Sequence, residues 1–100
     1  MEQKVYEYLT RIPKGKVVTY GQIAAALGNV HLCRRVGAIL HQNPNPEEYP
    51  CYKVVNSRGK LSARFAFGGA DGQRLRLEED GITVQEDTVD LCIYRWTGEE

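Results

Sequence analysis

The sequence predicts a mainly α domain with a small β element, a winged-helix-like helix-turn-helix fold, and three observations carry that prediction. Apolar residues recur at helical spacing in successive blocks between Glu2 and Gln42. A Gly28-Asn29 turn joins the second block to the third, and the third carries Arg34 and Arg35, as the recognition helix of such a motif would. The β-branched pairs Val17-Val18 and Val54-Val55 are brief, so any sheet is minor. A chain of 100 residues makes one domain over 1–100, with 82–100 as a peripheral tail.

Each element has a local cause. From Glu2 to Arg11, Val5, Tyr8, Leu9 and Ile12 share a helical face, with an acid first and a base last, where the helix dipole favours them. Ile12-Pro13-Lys14-Gly15-Lys16 is a turn into the extended Val17-Val18. Thr19 and Gln22 have capping-box spacing, which predicts a short helix through Ile23 and Leu27 stopped by Gly28. Asn29 caps a third helix over Val30 to Gln42, whose stripe is Leu32 or Cys33, then Val36, Ile39 and Leu40. Gly37 and Ala38 leave the face beside the arginines almost bare, which suits close approach to a partner surface; packing against a neighbouring helix is the other reading of Gly37. Three prolines and two asparagines between Gln42 and Pro50 exclude regular structure there. Asn56 to Lys60 is a hairpin-like turn, and Phe65 to Gly69 is aromatic, then flexible. Asp71 is expected to cap a helix through Leu75 and Leu77 that Gly81 ends, and Ile82 to Trp96 to run as strand or extended wrap.

Composition narrows the function classes. An odd three cysteines, no CxxC pair and only two histidines argue against a disulfide framework and a metal site; Cys33 and Cys92 read as structural. No stretch suits a membrane span, and the N-terminus opens directly into a helical pattern, so a cytoplasmic, reducing location is expected. Formal charge is zero but polarised: residues 1–60 hold nine Lys and Arg against four acids, residues 61–100 four against nine. Between Tyr8 and Pro46 no acid interrupts Arg11, Lys14, Lys16, Arg34 and Arg35. Such a face suits a polyanion, and an ordinary solvated surface accounts for it equally well.

The chemistry is expected at Pro50-Cys51-Tyr52-Lys53-Val54-Val55, where a thiol sits between a rigid turn residue and a buried strand. Thiolate sulfur is a strong nucleophile, and a cation such as Lys53 would raise the ionised fraction; the alternative is a small hydrophobe filling a core gap.

Val18-Thr19-Tyr20-Gly21-Gln22-Ile23-Ala24, Cys33-Arg34-Arg35-Val36-Gly37, Asn43-Pro44-Asn45-Pro46, Pro50-Cys51-Tyr52-Lys53-Val54-Val55, Gly68-Gly69 and Glu79-Asp80-Gly81 resemble, in that order, the C-terminal domain of O6-alkylguanine-DNA alkyltransferases. The resemblance implies a monomer on double-stranded DNA that binds the minor groove and flips O6-alkylguanine toward a cysteine, with no cofactor or metal. By position it implies Cys51 as alkyl acceptor, Arg34 as the residue filling the vacated stack, Tyr20 as the group that rotates the nucleotide and protonates the departing oxygen, and Asn43 as brace of the cysteine loop. Thr19, Arg35, Gly37 and Ala38 complete the expected DNA contacts; Pro46, Pro50, Val54 and Phe67 the expected pocket.

Where the family has His and Arg after the cysteine, this chain has Tyr52 and Lys53; Asp80 stands for a glutamate, Phe67 for a serine, and the segment before Gly68 is two residues longer. A phenol, ordinarily titrating near ~10, is a poor base. Tyr52 and Asp80 are therefore expected as altered members of the catalytic relay. Two other readings stay open: an alkyltransferase-like sensor that grips the lesion without reacting and hands it to excision-repair proteins, favoured by the missing histidine and the tail, and a winged-helix transcription regulator.

Overall fold

The computed structural model describes residues 1–97. Helix α1 (Glu2–Arg11) buries Val5 and Leu9, one turn apart on one face, and ends where Ile12 turns extended ahead of Pro13. The chain then forms β1 (Val18–Thr19), α2 (Tyr20–Ala26) and α3 (Cys33–His41), the two helices being the expected helix-turn-helix. The capping box is present: the Thr19 hydroxyl accepts from the Gln22 amide at 3.1 Å, and the Gln22 carboxamide accepts from the Thr19 amide at 3.0 Å.

The third helix differs from expectation at its start. Asn29 Oδ1 accepts from the His31 amide at 2.9 Å, which tightens Val30–Leu32 into a 3₁₀ turn before the α-helix begins at Cys33. Val36, Ile39 and Leu40 are buried as the stripe requires, whereas Cys33 is half-buried at the margin of that core.

Strand β2 (Val54–Val55) pairs parallel with β1, setting Val18 against Val54 and Thr19 against Val55. That pairing brings the Pro50-Cys51 turn beside the start of α2, although the two are far apart in sequence. The two strands also divide the core. Val18 and Val54 face a cluster with α1, α2 and α3, while Val17 and Val55 face one with Leu61, Leu77, Ile82 and Val89.

Helix α4 (Gly69–Glu79) begins earlier than expected: Gly68 is its N-cap, in the left-handed region at φ 111°, and Asp71 lies inside the first turn, paired with Arg74. The flexible reading of Gly68-Gly69 is thus corrected to a helix start. Beyond α4, β3 (Val84–Gln85) and β4 (Thr88–Val89) form an antiparallel hairpin whose turn residues Glu86 and Asp87 both have positive φ, and α5 (Leu91–Tyr94) follows. The tail is not peripheral. Ile82, Val89 and Trp96 are buried, the Val17 amide donates to the Tyr94 carbonyl and the Val17 carbonyl accepts from the Trp96 amide, both at 2.8 Å, and Gln22 Nε2 donates to the Trp96 carbonyl. Cys92 is exposed on α5, against the expectation of a structural thiol. No helix among the described residues is long and apolar enough to cross a membrane.

Gly59 joins the hairpin to β2: it is buried at φ 83°, and a Cβ there would overlap the Val89 carbonyl oxygen. Gly28, at φ 95°, has open space around it. Gly28→Ala is expected to cost the left-handed penalty alone, about 1–2 kcal/mol, whereas Gly59→Ala adds a backbone collision and should cost at least about 3 kcal/mol. Urea unfolding of the two variants measures the difference, and equal losses would contradict it.

Candidate functional site

Cys51 opens a short 3₁₀ turn, Cys51–Lys53, and is 5 % exposed. Three devices fix that turn. Asn43, buried beneath the proline-rich loop, donates from Nδ2 to the Tyr49 carbonyl at 2.7 Å and accepts from the Asn45 amide at 3.0 Å. Gln73 on α4, 1 % exposed, donates from Nε2 to the Tyr52 and Val54 carbonyls at 3.0 and 2.9 Å and accepts from the Ser62 amide at 2.9 Å. Lys53 Nζ, also buried, donates to the Ile12 and Pro13 carbonyls at 3.3 and 3.1 Å and pairs with Asp80 Oδ2 at 3.4 Å. The same Asp80 oxygen accepts from the Gly15 amide at 2.9 Å.

These partners decide the electrostatics. Lys53 was expected to ionise the thiol, but its ammonium is committed to Asp80 and two carbonyls on the side facing the α1–β1 turn. Burial pushes the Cys51 thiol above the ordinary range; the Asn43 hydrogen bond, the turn backbone and Arg76 pull weakly the other way. Burial also raises Tyr52, reinforced by the Asp80 carboxylate and opposed by Arg76, so its phenol stays neutral at neutral pH. Tyr20 is raised by burial and by the neighbouring Cys51, with the Ser62 hydroxyl acting against the shift. A neutral Tyr20 phenol beside the sulfur can donate a proton, not accept one.

Two adjoining depressions lie along α3, and the inner one reaches this sulfur. A mouth of about 480 Å³ is lined by Arg34, Gly37, Ala38, His41 and Gln42 from α3 and the residue after it, and by Ser62 and Arg64 from the facing loop. It falls in the size range of small-ligand sites, roughly 300–1,000 Å³. A cleft of about 40 Å³ continues inward between Gly37, Leu40, His41, Arg64, Phe65 and Ala66 to Cys51. Gly37, His41 and Arg64 line both. A methyl at Gly37 would sit 4.0 Å from the Tyr20 ring, an ordinary contact, so packing alone does not demand glycine there.

The expected site residues separate into groups. Arg34, Gly37 and Ala38 line the mouth and Cys51 the cleft, whereas Tyr20 and Asn43 line neither: Tyr20 packs against the cluster that holds Cys51, and Asn43 braces the loop beneath it. Arg35 is exposed on α3 but lines neither. Thr19 is buried, and its hydroxyl is spent on the capping box rather than offered to a phosphate. Val54 is 1 % exposed, packed in the core with α1, α2 and α3, and lines neither the mouth nor the cleft. Pro46, Pro50, Tyr52 and Asp80 line a separate depression of about 350 Å³ with Lys14, Glu47, Arg76 and Glu79. Phe67 lines a fourth with Leu75 and Arg76, the Arg76 guanidinium lying 5.7 Å from its ring centroid. His41, Ser62, Arg64 and Gln73 were missed, because folding against α3 and α4 gives them their place and no local spacing marks it.

Residues 1–82 match the family model described as the DNA-binding domain of 6-O-methylguanine DNA methyltransferase. The chain is 40 % identical over 99 residues to alkyltransferase-like protein 1 of Schizosaccharomyces pombe, covering 93 % of this chain and 91 % of that protein. It is 41 % identical over 92 residues to the bifunctional methyltransferase/endonuclease of Picrophilus torridus, where it covers 92 % of this chain but spans only 30 % of that longer protein. Among solved structures, S. pombe Atl1 in complex with damaged DNA containing O6-carboxymethylguanine superposes with a TM-score of 0.84 at 36 % identity, over 96 % of this chain and 94 % of that one.

Gln73 satisfies three buried backbone groups, so Gln73→Leu should destabilise the fold by about 3 kcal/mol or more, a part of the cost of each orphaned group. Chemical denaturation measures the loss; a change under about 1 kcal/mol would mean the backbone finds other partners.

Proposed function

The chain belongs to the family of the 6-O-methylguanine DNA methyltransferase DNA-binding domain, and from that membership we propose that it flips O6-alkylguanine out of duplex DNA and accepts the alkyl group on Cys51. The observation that supports this best is the continuity of mouth and thiol cleft along α3, through Gly37, His41 and Arg64. Gly37 and Ala38 give α3 a low relief that can enter a shallow minor groove, and Arg34 stands at the rim, exposed and long enough to replace an extruded base. Arg64 adds charge on the opposite wall. DNA contact draws on these local cations, since the chain has no net charge to contribute.

In the transfer, the Cys51 sulfur forms a bond to the alkyl carbon as the carbon–O6 bond breaks. The electron pair stays on guanine, and a proton replaces the alkyl group there. Tyr20 is suited to deliver that proton because burial keeps its phenol neutral. A thioether has no ready reversal, so one protein repairs one lesion.

The second reading, a sensor that holds the lesion unreacted for excision-repair proteins, is favoured by one observation: the thiol is held protonated, and the expected Tyr52–Asp80 relay is absent, since Asp80 is committed to Lys53 and Gly15. A duplex containing O6-methylguanine and an intact-mass measurement separate the two. Gain of one methyl, mapped to Cys51, is the expected result; tight lesion-selective binding with no added mass would establish the sensor, and indifference to the lesion would leave a regulator. Arg34→Ala should weaken binding to the lesion duplex by about 1–3 kcal/mol if the guanidinium stacks in the gap, as measured by fluorescence anisotropy at fixed salt. An unchanged affinity would remove Arg34 from that role.

A further inference from the structure

We propose that His41 is the proton acceptor that activates Cys51, acting from the end of the recognition helix rather than from position 52; this rests on the transfer reading above. The need for such a group follows from the thiol's surroundings. Cys51 is buried and protonated at rest, Lys53 is closed into its pair with Asp80, and the Tyr52 phenol is a weak base whose ring lines a different depression. Of the side chains around the thiol cleft, Leu40, Phe65 and Ala66 are apolar and Arg64 remains protonated. His41 alone among them carries a lone pair able to take a proton near neutral pH.

Its placement suits the task. His41 and Cys51 line the same cleft of about 40 Å³, which has room for water to link them, since about 10–15 Å³ of probe space suffices for one water. His41 is the last residue of α3, so the helix sets it at the edge of the cleft. The ionisable groups lining the two depressions with it are Arg34 on its own helix, Arg64 on the facing loop and the Cys51 thiol. His41 is exposed in the free protein and lies on the face that the duplex would cover, which would shield the pair from solvent as the lesion seats.

The proton passes from Sγ through the water to an imidazole nitrogen, and the thiolate attacks the alkyl carbon. Sulfur–carbon bonding and carbon–O6 cleavage are concerted, the electron pair remains on guanine, and Tyr20 protonates it. The imidazolium then returns its proton to the Tyr20 phenolate. The thiol hydrogen has replaced the alkyl group on the base, and no other reactant is consumed.

The test compares the full chain with His41→Gln on an O6-methylguanine duplex, at saturating DNA so that weaker binding does not count, following the methylated mass over time from pH 6.5 to 9. The variant should be slower by at least about tenfold at pH 7.5, with a rate rising about tenfold per pH unit as thiolate alone becomes limiting, while the parent profile is flatter. Added imidazole should recover part of the rate in His41→Ala. Matching rates and profiles for parent and variant would overturn the assignment. A parent that transfers nothing would instead overturn the transfer reading. A second arm, independent of DNA, still decides whether His41 activates the thiol: iodoacetamide labelling of Cys51 at pH 7.5, read by peptide mass, should slow in His41→Gln, and an unchanged rate refutes the pairing.

Discussion

The site depends on one buried carboxamide. Gln73 projects from α4 into a space walled by the cysteine turn, β2 and the loop that follows, and answers a backbone group from each. None of those three segments is regular structure of any length: the turn is three residues, the strand two. Short segments cannot satisfy their own backbone, so without a partner each would need water in the middle of the protein. One side chain with two donors and an acceptor resolves this, and fixes the wall that carries Arg64 to Phe65 against the helix that carries Gly37 and His41. The thiol is held still because α4 holds its neighbours.

Holding the thiol still has an electrostatic consequence. The contacts that order the turn also bury most of Cys51 and take up Lys53, the nearest cation in sequence, in a second anchoring role. A buried ammonium requires its carboxylate and its carbonyls, since leaving it unpaired would cost several kcal/mol, so Lys53 cannot also serve the sulfur. Rigidity and nucleophilicity therefore compete at this turn. A resting protonated thiol resists stray alkylation and oxidation, and becomes reactive only where something removes its proton.

What the sequence made legible was whatever is encoded locally. The Thr19–Gln22 box, the Val5–Leu9 face, the α3 stripe and the Pro50-Cys51 turn each depend on residues within one or two turns of each other, and each stands as read. The failures have a common cause in long-range placement or in unusual backbone. Glu86-Asp87 makes the hairpin turn in a left-handed conformation that Asn-Gly would ordinarily announce, so the hairpin went unread. Lys53 lies two residues from Cys51, but the 3₁₀ turn between them aims the side chains at different parts of the core. Gln73 and His41 are ordinary residues in sequence, on helices whose patterns give no reason to single them out. Trp96 shows the same for the tail, which alternates too weakly to declare a strand yet ends in a buried indole edge-on to Tyr8 at 5.7 Å.

The uneven charge of the chain acquires a geometric sense once the halves are placed. The acid-free span from Tyr8 to Pro46 contains all of α2 and α3, so the recognition face meets a phosphate backbone without local repulsion. The acids concentrate instead on α4 and the hairpin, with Asp71, Glu78, Glu86 and Asp87 along elements that hold the cysteine turn from the far side. A molecule with zero net charge gains nothing from long-range attraction as a point charge, so contact with a polyanion would rest on the local cations of this acid-free span. On the proposed reading the face around Gly37 and Ala38 would press against a minor groove roughly half as wide as the helix itself, so the low relief of those two residues matters more than overall attraction.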